Sequence, residues 1–193
     1  GVDKHEYLIE IFKNLDKIST LPSNVTKEHY SDVRECFNKG IHNKYEKWYI
    51  GAIGFLASYN GRFFDGGYSG VVKTKSGTVR NYYDEAKRNL EAQIPNLLDI
   101  RFKCMDYKDI KTENSLIYCD PPYQGKKRYG INKNFNYDEF WQWVRNMSKD
   151  NIVIVSECQA LDDFECIWQQ DVLRTIDNTK RVKSVEKLFI YKQ

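Results

Sequence analysis

The chain has 193 residues, enough for one domain with a sizeable buried core, and 15% of them are aromatic. Its net charge of +3 is too small to establish or exclude a nucleic-acid partner. Five cysteines without a Cys-x-x-Cys pair argue against a disulfide framework or a zinc site, and they indicate a reduced, cytoplasmic protein. No apolar run approaches the roughly 18 residues of a membrane span, so we expect no membrane partner.

The first half of the chain combines helical patterns with one glycine-rich segment. Val2 and Asp3 fit the end of a strand, and Thr26 is a suitable helix N-cap. The apolar spacing predicts helices over residues 7–15, 26–36, 44–58 and 78–94, the last of them ended by Pro95. Four glycines among residues 60–70 predict turns and short hairpin strands there. The histidines have no partner pattern, and we expect all three at the surface: His5, His29 and His42.

The second half of the chain alternates strands and helices. The patterns predict strands at 100–104, 116–119, 152–156, 172–174 and 188–191, and a helix at 137–147. Residues 152–156 are almost wholly apolar and β-branched, which is typical of the buried centre of a parallel sheet. Strand, helix and strand in succession predict a doubly wound α/β fold. Ligands of such sheets bind at the carboxyl ends of the strands.

The sequence Asp120-Pro121-Pro122-Tyr123 carries the clearest chemical signal in the chain. It lies immediately after the strand predicted at 116–119, where the ligand site is expected. Average residue usage gives this tetrapeptide by chance on the order of once in a thousand chains of this length. The alternative interpretation is a strand-ending turn, because Asp-Pro commonly opens turns.

This motif suits the activation of an exocyclic amine. The lone pair of such an amine is delocalised into the aromatic ring, so an enzyme must draw the nitrogen toward a tetrahedral geometry. The Asp120 carboxylate and the Pro121 carbonyl can accept its two N–H bonds and stabilise the positive charge that grows on nitrogen during methyl transfer. The two prolines restrict the backbone. Tyr123 offers a flat face to a base that has left the duplex.

With this motif the chain resembles the DNA N6-adenine methyltransferases, and within them the Dam-type and phage D12-class enzymes. The resemblance spans essentially the whole chain, whose elements come in the order of that family. It implies an α/β fold in which a Rossmann-like sheet binds S-adenosylmethionine and carries helices on both faces, with a helical and Gly-rich hairpin insertion for DNA recognition. Residues 1–20 and 97–193 would form the catalytic core, and residues 21–96 the recognition region.

The resemblance also assigns residues to the binding of the cofactor. Asp3 would bind the ribose hydroxyls of S-adenosylmethionine, as acids at this position do in dinucleotide folds. Asp106 and Tyr107 would lie near the adenine of the cofactor or at the strand edge, and an ordinary N-cap and a core Tyr are the structural alternative. Asp120 would also contact the cofactor.

In the family, a Tyr-Asn-Gly-Arg region reads DNA. Tyr59, Asn60 and Arg62 match it most directly, although this chain places its Arg sooner after the Gly than the Dam-type enzymes do. Asn and Arg are the side chains that pair with the edges of adenine and guanine. A hairpin with one exposed Arg is the structural alternative.

Two basic stretches fit a DNA backbone. The first, Lys126, Lys127 and Arg128, follows the motif, and the second, Lys180 and Arg181, precedes the last predicted strand. Contacts from such groups to phosphates position a duplex without reading its sequence. Short runs of cations are also typical of solvated loops.

The resemblance is incomplete at the start of the chain. A Phe-x-Gly-x-Gly turn and a Lys-containing segment, which precede the strand end at Asp3 in the family, are missing, and we expect the chain to be part of a longer, active protein. The prediction is a site-specific adenine methyltransferase that acts on double-stranded DNA, as a monomer or alongside a restriction enzyme. An inactive DNA-binding remnant and a methyltransferase of cytosine N4 are the alternatives, although Asp rather than Ser at the first motif position favours adenine.

Overall fold

The computed structural model describes residues 1–41, 43–74, 76–124, 135–177 and 180–192, and for 173–177 and 180–184 it describes the backbone alone. The chain divides into two compact units, Gly1–Asp109 and Ile110–Gln193. His42 and the basic stretch 126–128 lie outside the described residues. No helix among the described residues is long and apolar enough to cross a membrane.

In its described part, the first unit contains four α-helices and two pairs of short strands. The helices are α1 (Glu6–Lys13), α2 (Lys27–Asn38), α3 (Lys47–Leu56) and α4 (Tyr82–Leu97), and the strands are β1 (Val2–Asp3), β2 (Val71–Lys73), β3 (Val79–Asn81) and β4 (Lys103–Cys104). β1 pairs in parallel with β4, and β2 pairs antiparallel with β3. Helix α2 begins where predicted, because Thr26 Oγ1 accepts the N–H of His29 at 3.1 Å and satisfies an amide of the first turn.

Helix α3 lies at the centre of the first unit's hydrophobic core. It buries Ile50 and Ile53 completely, as expected of a helix that is apolar on most of its surface. Helix α1 packs closely against it, since a Cβ atom on Gly51 would lie 2.3 Å from the carbonyl oxygen of Tyr7. Two buried clusters of this unit therefore each combine side chains from residues 1–20 and from residues 21–96, which the sequence analysis assigned to different functional regions.

The second unit is built on a four-stranded sheet with the order β5-β6-β8-β7. Its elements are β5 (Leu116–Cys119), α5 (Tyr137–Met147), β6 (Ile152–Glu157), β7 (Phe164–Asp177) and β8 (Lys180–Tyr191). β5 and β6 are parallel, β8 joins β6 antiparallel, and β7 and β8 form a long hairpin. The apolar side of α5 is buried, and its Trp141 packs against Phe164 with ring centroids 4.6 Å apart.

The mixed α/β class is confirmed, and α5 occupies its predicted residues. The helix predicted from Thr78 is wrong at its start, because residues 79–81 pair as β3 and the Asn81 side chain accepts the N–H of Asp84 at 3.1 Å as the cap of α4. The prediction that Pro95 ends this helix is also wrong, since α4 continues to Leu97. A proline so close to the helix end removes a hydrogen bond only from the last turn.

Three predicted strands have clearly different bounds in the structure. The strand expected at 100–104 is limited to β4. The strand expected at 172–174 is the middle of the much longer β7, and the one expected at 188–191 is the end of the longer β8. Pairing with β8 along its length, rather than a local sequence pattern, extends β7. The surface positions predicted for His5 and His29 are wrong as well, because both residues are half-buried among aromatic rings.

Candidate active site

The Asp120–Tyr123 motif follows β5 without an intervening residue. Cys119 lies opposite Val155 in the parallel register of β5 and β6, so the motif begins beside the end of β6. Pro121 is buried, whereas Asp120 is exposed. The structure therefore places an exposed carboxylate at the carboxyl edge of a parallel strand pair, the position at which open α/β sheets bind ligands.

On one side, the motif loop is bound to the end of β6. The hydroxyl of Tyr123 lies 3.1 Å from Oγ of Ser156. The N–H of the next residue, Gln124, donates to Oε2 of Glu157 at 3.0 Å. Ser156 and Glu157 are both buried, so two consecutive loop residues are fixed by two consecutive residues of the neighbouring strand.

On the other side, the loop is bound to the start of α5. The hydroxyl of Tyr137, the first residue of this helix, donates to the carbonyl oxygen of Pro122 at 2.6 Å. This bond fixes the peptide plane that follows Pro122, next to the Pro121 carbonyl. The loop can thus present the Asp120 carboxylate and a main-chain carbonyl as adjacent hydrogen-bond acceptors in a defined geometry.

Two further acidic residues lie at the carboxyl ends of β1 and β4. Asp3 ends β1, and its Oδ1 accepts the N–H of His5 at 2.6 Å. The carbonyl oxygen of Asp3 accepts the N–H of Met105 at 3.1 Å, which continues the parallel pairing up to Asp106. The structure therefore brings these two predicted cofactor residues to one strand edge, and the half-buried Tyr107 begins a short 3₁₀ turn directly after them.

Lysine and backbone donors keep the Asp106 carboxylate ionised. Burial raises the pKa of Asp106, but the hydrogen bond from Lys4 Nζ at 3.0 Å and the bond from the Lys108 N–H at 3.2 Å outweigh it. The net pKa of Asp106 is below its ordinary value. This carboxylate can therefore act as a hydrogen-bond acceptor at neutral pH.

The predicted DNA-reading residues lie on a tight turn, Tyr59–Gly61. Tyr59 is 53% exposed and Asn60 is also exposed, whereas Arg62 is half-buried. Asn60 has a φ of 54°, a left-handed conformation that Asn tolerates better than most side chains. The N–H of Tyr59 donates to the carbonyl of Gly67 at 2.9 Å and closes the base of the loop.

The base of this turn is rigidly packed. Oγ of the buried Ser58 accepts the N–H of Phe64 at 3.2 Å and lies 2.9 Å from the Tyr30 hydroxyl. Phe63 packs against the ring of His5 with centroids 4.6 Å apart. The exposed polar tip therefore stands on a buried aromatic support, which is the arrangement that keeps recognition side chains in place.

The second basic stretch lies within a strand, whereas the sequence predicted that it precedes one. Lys180 and Arg181 do not precede the last strand but begin it, because β8 extends to Lys180 through pairing with β7. Pairing of β8 with β6 runs from Phe189 to Lys187, which lies opposite the last residue of β6, Glu157. The earlier residues of β8 thus form, with β7, a two-stranded ribbon that extends beyond the sheet at the same edge as Asp120.

Comparison with known families adds to this geometry. The family model described as D12 class N6 adenine-specific DNA methyltransferase matches residues 3–181. The chain belongs to this family. No curated protein matches the sequence. The chain is accordingly an enzyme of adenine-specific DNA methylation, and the Asp-Pro-Pro-Tyr motif lies within the matched region.

The match of this D12-class methyltransferase begins at Asp3 and ends at Arg181, so it contains every site residue that the sequence predicted. Sequence reasoning missed the residues that hold the motif loop: Ser156, Glu157 and Tyr137. For Glu157 a signal existed, because it is the first charged residue after the apolar strand that adjoins the motif. For Tyr137 no local pattern indicates a contact with Pro122.

Proposed function

We propose that the chain methylates N6 of a specific adenine in double-stranded DNA at the Asp120–Tyr123 loop, with S-adenosylmethionine as the methyl donor. One observation carries the assignment of the site: the motif follows β5 directly at the carboxyl edge of the β5–β6 pair and is bound there by buried side chains. The family match supports the reaction, and the position of the motif at the sheet edge supports the assignment of its residues.

Asp120 and Pro121 would bind the reacting amine. The exposed carboxylate of Asp120 accepts one N–H of the adenine amine, and the main-chain carbonyl of Pro121 accepts the other. Both acceptors become more favourable as positive charge develops on nitrogen, so they bind the transition state better than the ground state. The bound cofactor supplies the electrophilic methyl group.

Tyr123 would provide the face on which the target base stacks. An adenine inside a duplex cannot reach Asp120, so the base must rotate out of the helix. The hydrogen bond between the Tyr123 hydroxyl and Ser156 fixes one end of the phenol, which limits the rotation of its ring. A fixed ring costs less conformational entropy when it binds a base.

Asp3 is the residue that fits the cofactor ribose. It ends a strand that is paired in parallel, the position from which an acid binds ribose hydroxyls in dinucleotide folds. Its Oδ1 is oriented by the N–H of His5, and the ionised Asp106 lies at the end of the paired strand. Asp3, Asp106 and Tyr107 are therefore assigned to the adenosine part of the cofactor.

Two elements of the structure are proposed to contact DNA. Tyr59, Asn60 and Arg62 would read base edges, since the turn exposes Tyr59 and Asn60 and the half-buried Arg62 follows it directly. The β7–β8 ribbon, with Lys180 and Arg181 at its far end, would contact phosphates at the edge of the sheet that carries the motif. The same role is assigned to Lys126, Lys127 and Arg128 from their position in the sequence.

Transfer of labelled methyl from S-adenosylmethionine to unmethylated DNA, followed by nucleoside analysis, tests the proposal. We expect N6-methyladenine from the wild-type protein when it includes the residues upstream of Gly1. In the same background the rate of Asp120→Ala should be at least about 100-fold lower, because a preorganised acceptor at a developing charge contributes about 10²–10³ in rate. Asp162→Ala, which removes an exposed carboxylate from the same unit, is the matched control.

Each other outcome has a distinct meaning. DNA affinity of Asp120→Ala within a few-fold of wild type would place the loss in the chemical step. N4-methylcytosine as the product would favour the cytosine alternative, and retained DNA binding without any transfer from wild type would favour the inactive remnant. Full activity of Asp120→Ala would remove Asp120 from the site.

A further inference from the structure

Glu157 is a carboxylate buried at the catalytic edge. It is the last residue of β6, only 3% of its surface is exposed, and it lies opposite Lys187 in the register with β8. Burial of a carboxylate is unfavourable unless hydrogen-bond donors replace the water it loses. A buried acid next to the motif therefore needs an explanation in terms of the groups that it binds.

The two oxygens of Glu157 bind two different segments of backbone. Oε1 accepts the N–H of Cys158 at 2.7 Å, which fixes the carboxylate relative to its own strand. Oε2 accepts the N–H of Gln124 at 3.0 Å, the residue directly after the motif. One buried carboxyl group thus accepts backbone N–H groups from two segments, so Glu157 connects the strand end and the loop.

We propose that Glu157 is a positioning residue for methyl transfer, holding the Asp120–Gln124 loop so that Asp120 and Tyr123 meet the target base in the productive geometry. The inference rests on the proposed function of that loop and adds a residue that the motif does not contain. Glu157 acts through the loop and does not contact the reacting atoms. Ser156 binds Tyr123 in the same way, so the end of β6 forms a support for two successive loop residues.

The proposal requires two acceptor oxygens at this position. Glu157→Gln keeps one acceptor but turns an NH₂ group toward a backbone N–H, so it should preserve one of the two bonds. Glu157→Ala removes both acceptors and leaves two N–H groups without them. We therefore expect the loop to be best fixed, and the methyl-transfer rate to be highest, in wild type. Both should be lower in Glu157→Gln and lowest in Glu157→Ala. Glu165→Gln, an exposed acid on the neighbouring hairpin, is the matched control.

Amide hydrogen exchange and single-turnover methyl transfer test the proposal together. We expect the Gln124 amide to be protected in wild type, to exchange about tenfold faster in Glu157→Gln and faster still in Glu157→Ala. The single-turnover rate should fall about 10- to 100-fold in Glu157→Ala, as expected of a residue that orients a catalytic group, with DNA affinity within about twofold of wild type. Glu165→Gln should match wild type in both measurements.

The outcomes separate this proposal from the function of the loop. An unprotected Gln124 amide in wild type would overturn it, as would wild-type rates in both Glu157 variants. Should Glu157→Ala fail to fold, the graded exchange and rate of Glu157→Gln decide the same question. Absence of methyl transfer from wild type would count against the proposed function alone, and the protection of Gln124 would then decide whether Glu157 holds the loop.

Discussion

The imidazole ring of His5 packs edge-on against the ring of Phe63, with centroids 4.6 Å apart and planes at 81°. His5 is also the N-cap of α1, where its Nδ1 accepts the N–H of Leu8 at 3.3 Å. The backbone N–H of His5 donates to the carboxylate of Asp3, the predicted ribose-binding acid. One residue therefore links β1, which ends at the predicted cofactor residue Asp3, to the aromatic base of the predicted DNA-reading turn.

The contacts of His5 predict a pH dependence of stability. Burial lowers the pKa of His5 below its ordinary value of 6.5, although the nearby charge of Asp3 opposes the shift. Between the lowered value and 6.5 the unfolded chain binds more protons than the folded one, so the free energy of unfolding rises with pH in that window. The stabilisation is complete above pH 6.5 and is lost as the pH falls through the folded-state pKa, because a protonated Nδ1 cannot accept the Leu8 N–H.

The free energy of unfolding, measured by urea titration from pH 5 to 8, checks this pH dependence, with His5→Asn as the reference. Asn is a good N-cap that does not titrate, so this variant should lose less stability than wild type between pH 7.5 and 5.5. Parallel pH curves for the two proteins would show that His5 does not titrate with folding.

Arg62 should determine part of the sequence preference. If its guanidinium contacts a base edge, Arg62→Ala should cost about 1–3 kcal/mol of discrimination at one position of the site. Methylation of a library of site variants measures this loss position by position. Arg34→Ala changes an exposed arginine on α2 and should leave the preference intact. An unchanged preference in Arg62→Ala would remove Arg62 from the reading set.

Tyr137 should affect the rate more than the affinity for DNA. Tyr137→Phe removes the hydroxyl that donates to the Pro122 carbonyl at 2.6 Å. A net hydrogen bond contributes about 0.5–1.5 kcal/mol, which corresponds to a fall of roughly 2- to 10-fold in the single-turnover rate. Tyr118→Phe, on a side chain that is 61% exposed in β5, is the control. Equal rates in both variants would mean that the motif loop does not depend on this bond.

Close packing between α1 and α3 predicts the effect of a methyl group at Gly51. In an exposed helix Ala is about 1 kcal/mol more favourable than Gly, and Ala92→Gly in α4 measures that difference in this chain. A Cβ atom on Gly51 would lie 2.3 Å from the Tyr7 carbonyl oxygen, which only a shift of the helix backbone can relieve. Gly51→Ala should therefore lower the free energy of unfolding by roughly 1–3 kcal/mol in urea titrations. A gain in stability would show that the helices separate easily.

Elements with a local cause were predictable from the sequence. The bounds of α5 are the predicted ones, because its apolar residues recur at helical spacing and Asn136 accepts the N–H groups of Asp138 and Glu139 as the cap. The cap of α2 at Thr26 was predictable for the same reason. The position of Asp120 after a strand followed from a short apolar run that ends at Asp-Pro.

Elements that depend on a distant partner were not predictable. The extension of β7 comes from its pairing with β8, and β3 is a strand because residues 79–81 pair with β2. His5 shows no sequence pattern of burial, yet Phe55 and Phe63, some fifty residues away in the chain, surround its ring. Local sequence patterns depend on neighbouring residues only, so they cannot identify partners that are distant in the chain.

The sequence alone determined which residues we propose to react in this methyltransferase, because Asp-Pro-Pro-Tyr is a contiguous motif whose chemistry depends on the residue types themselves. Only the tertiary structure decided what holds that motif in place. Tyr123 meets Ser156 across 33 positions of chain, and Gln124 meets Glu157 across the same interval. Such contacts arise from the register of β5 and β6, which the hydrogen-bonded pairing of the folded sheet fixes and no local pattern encodes.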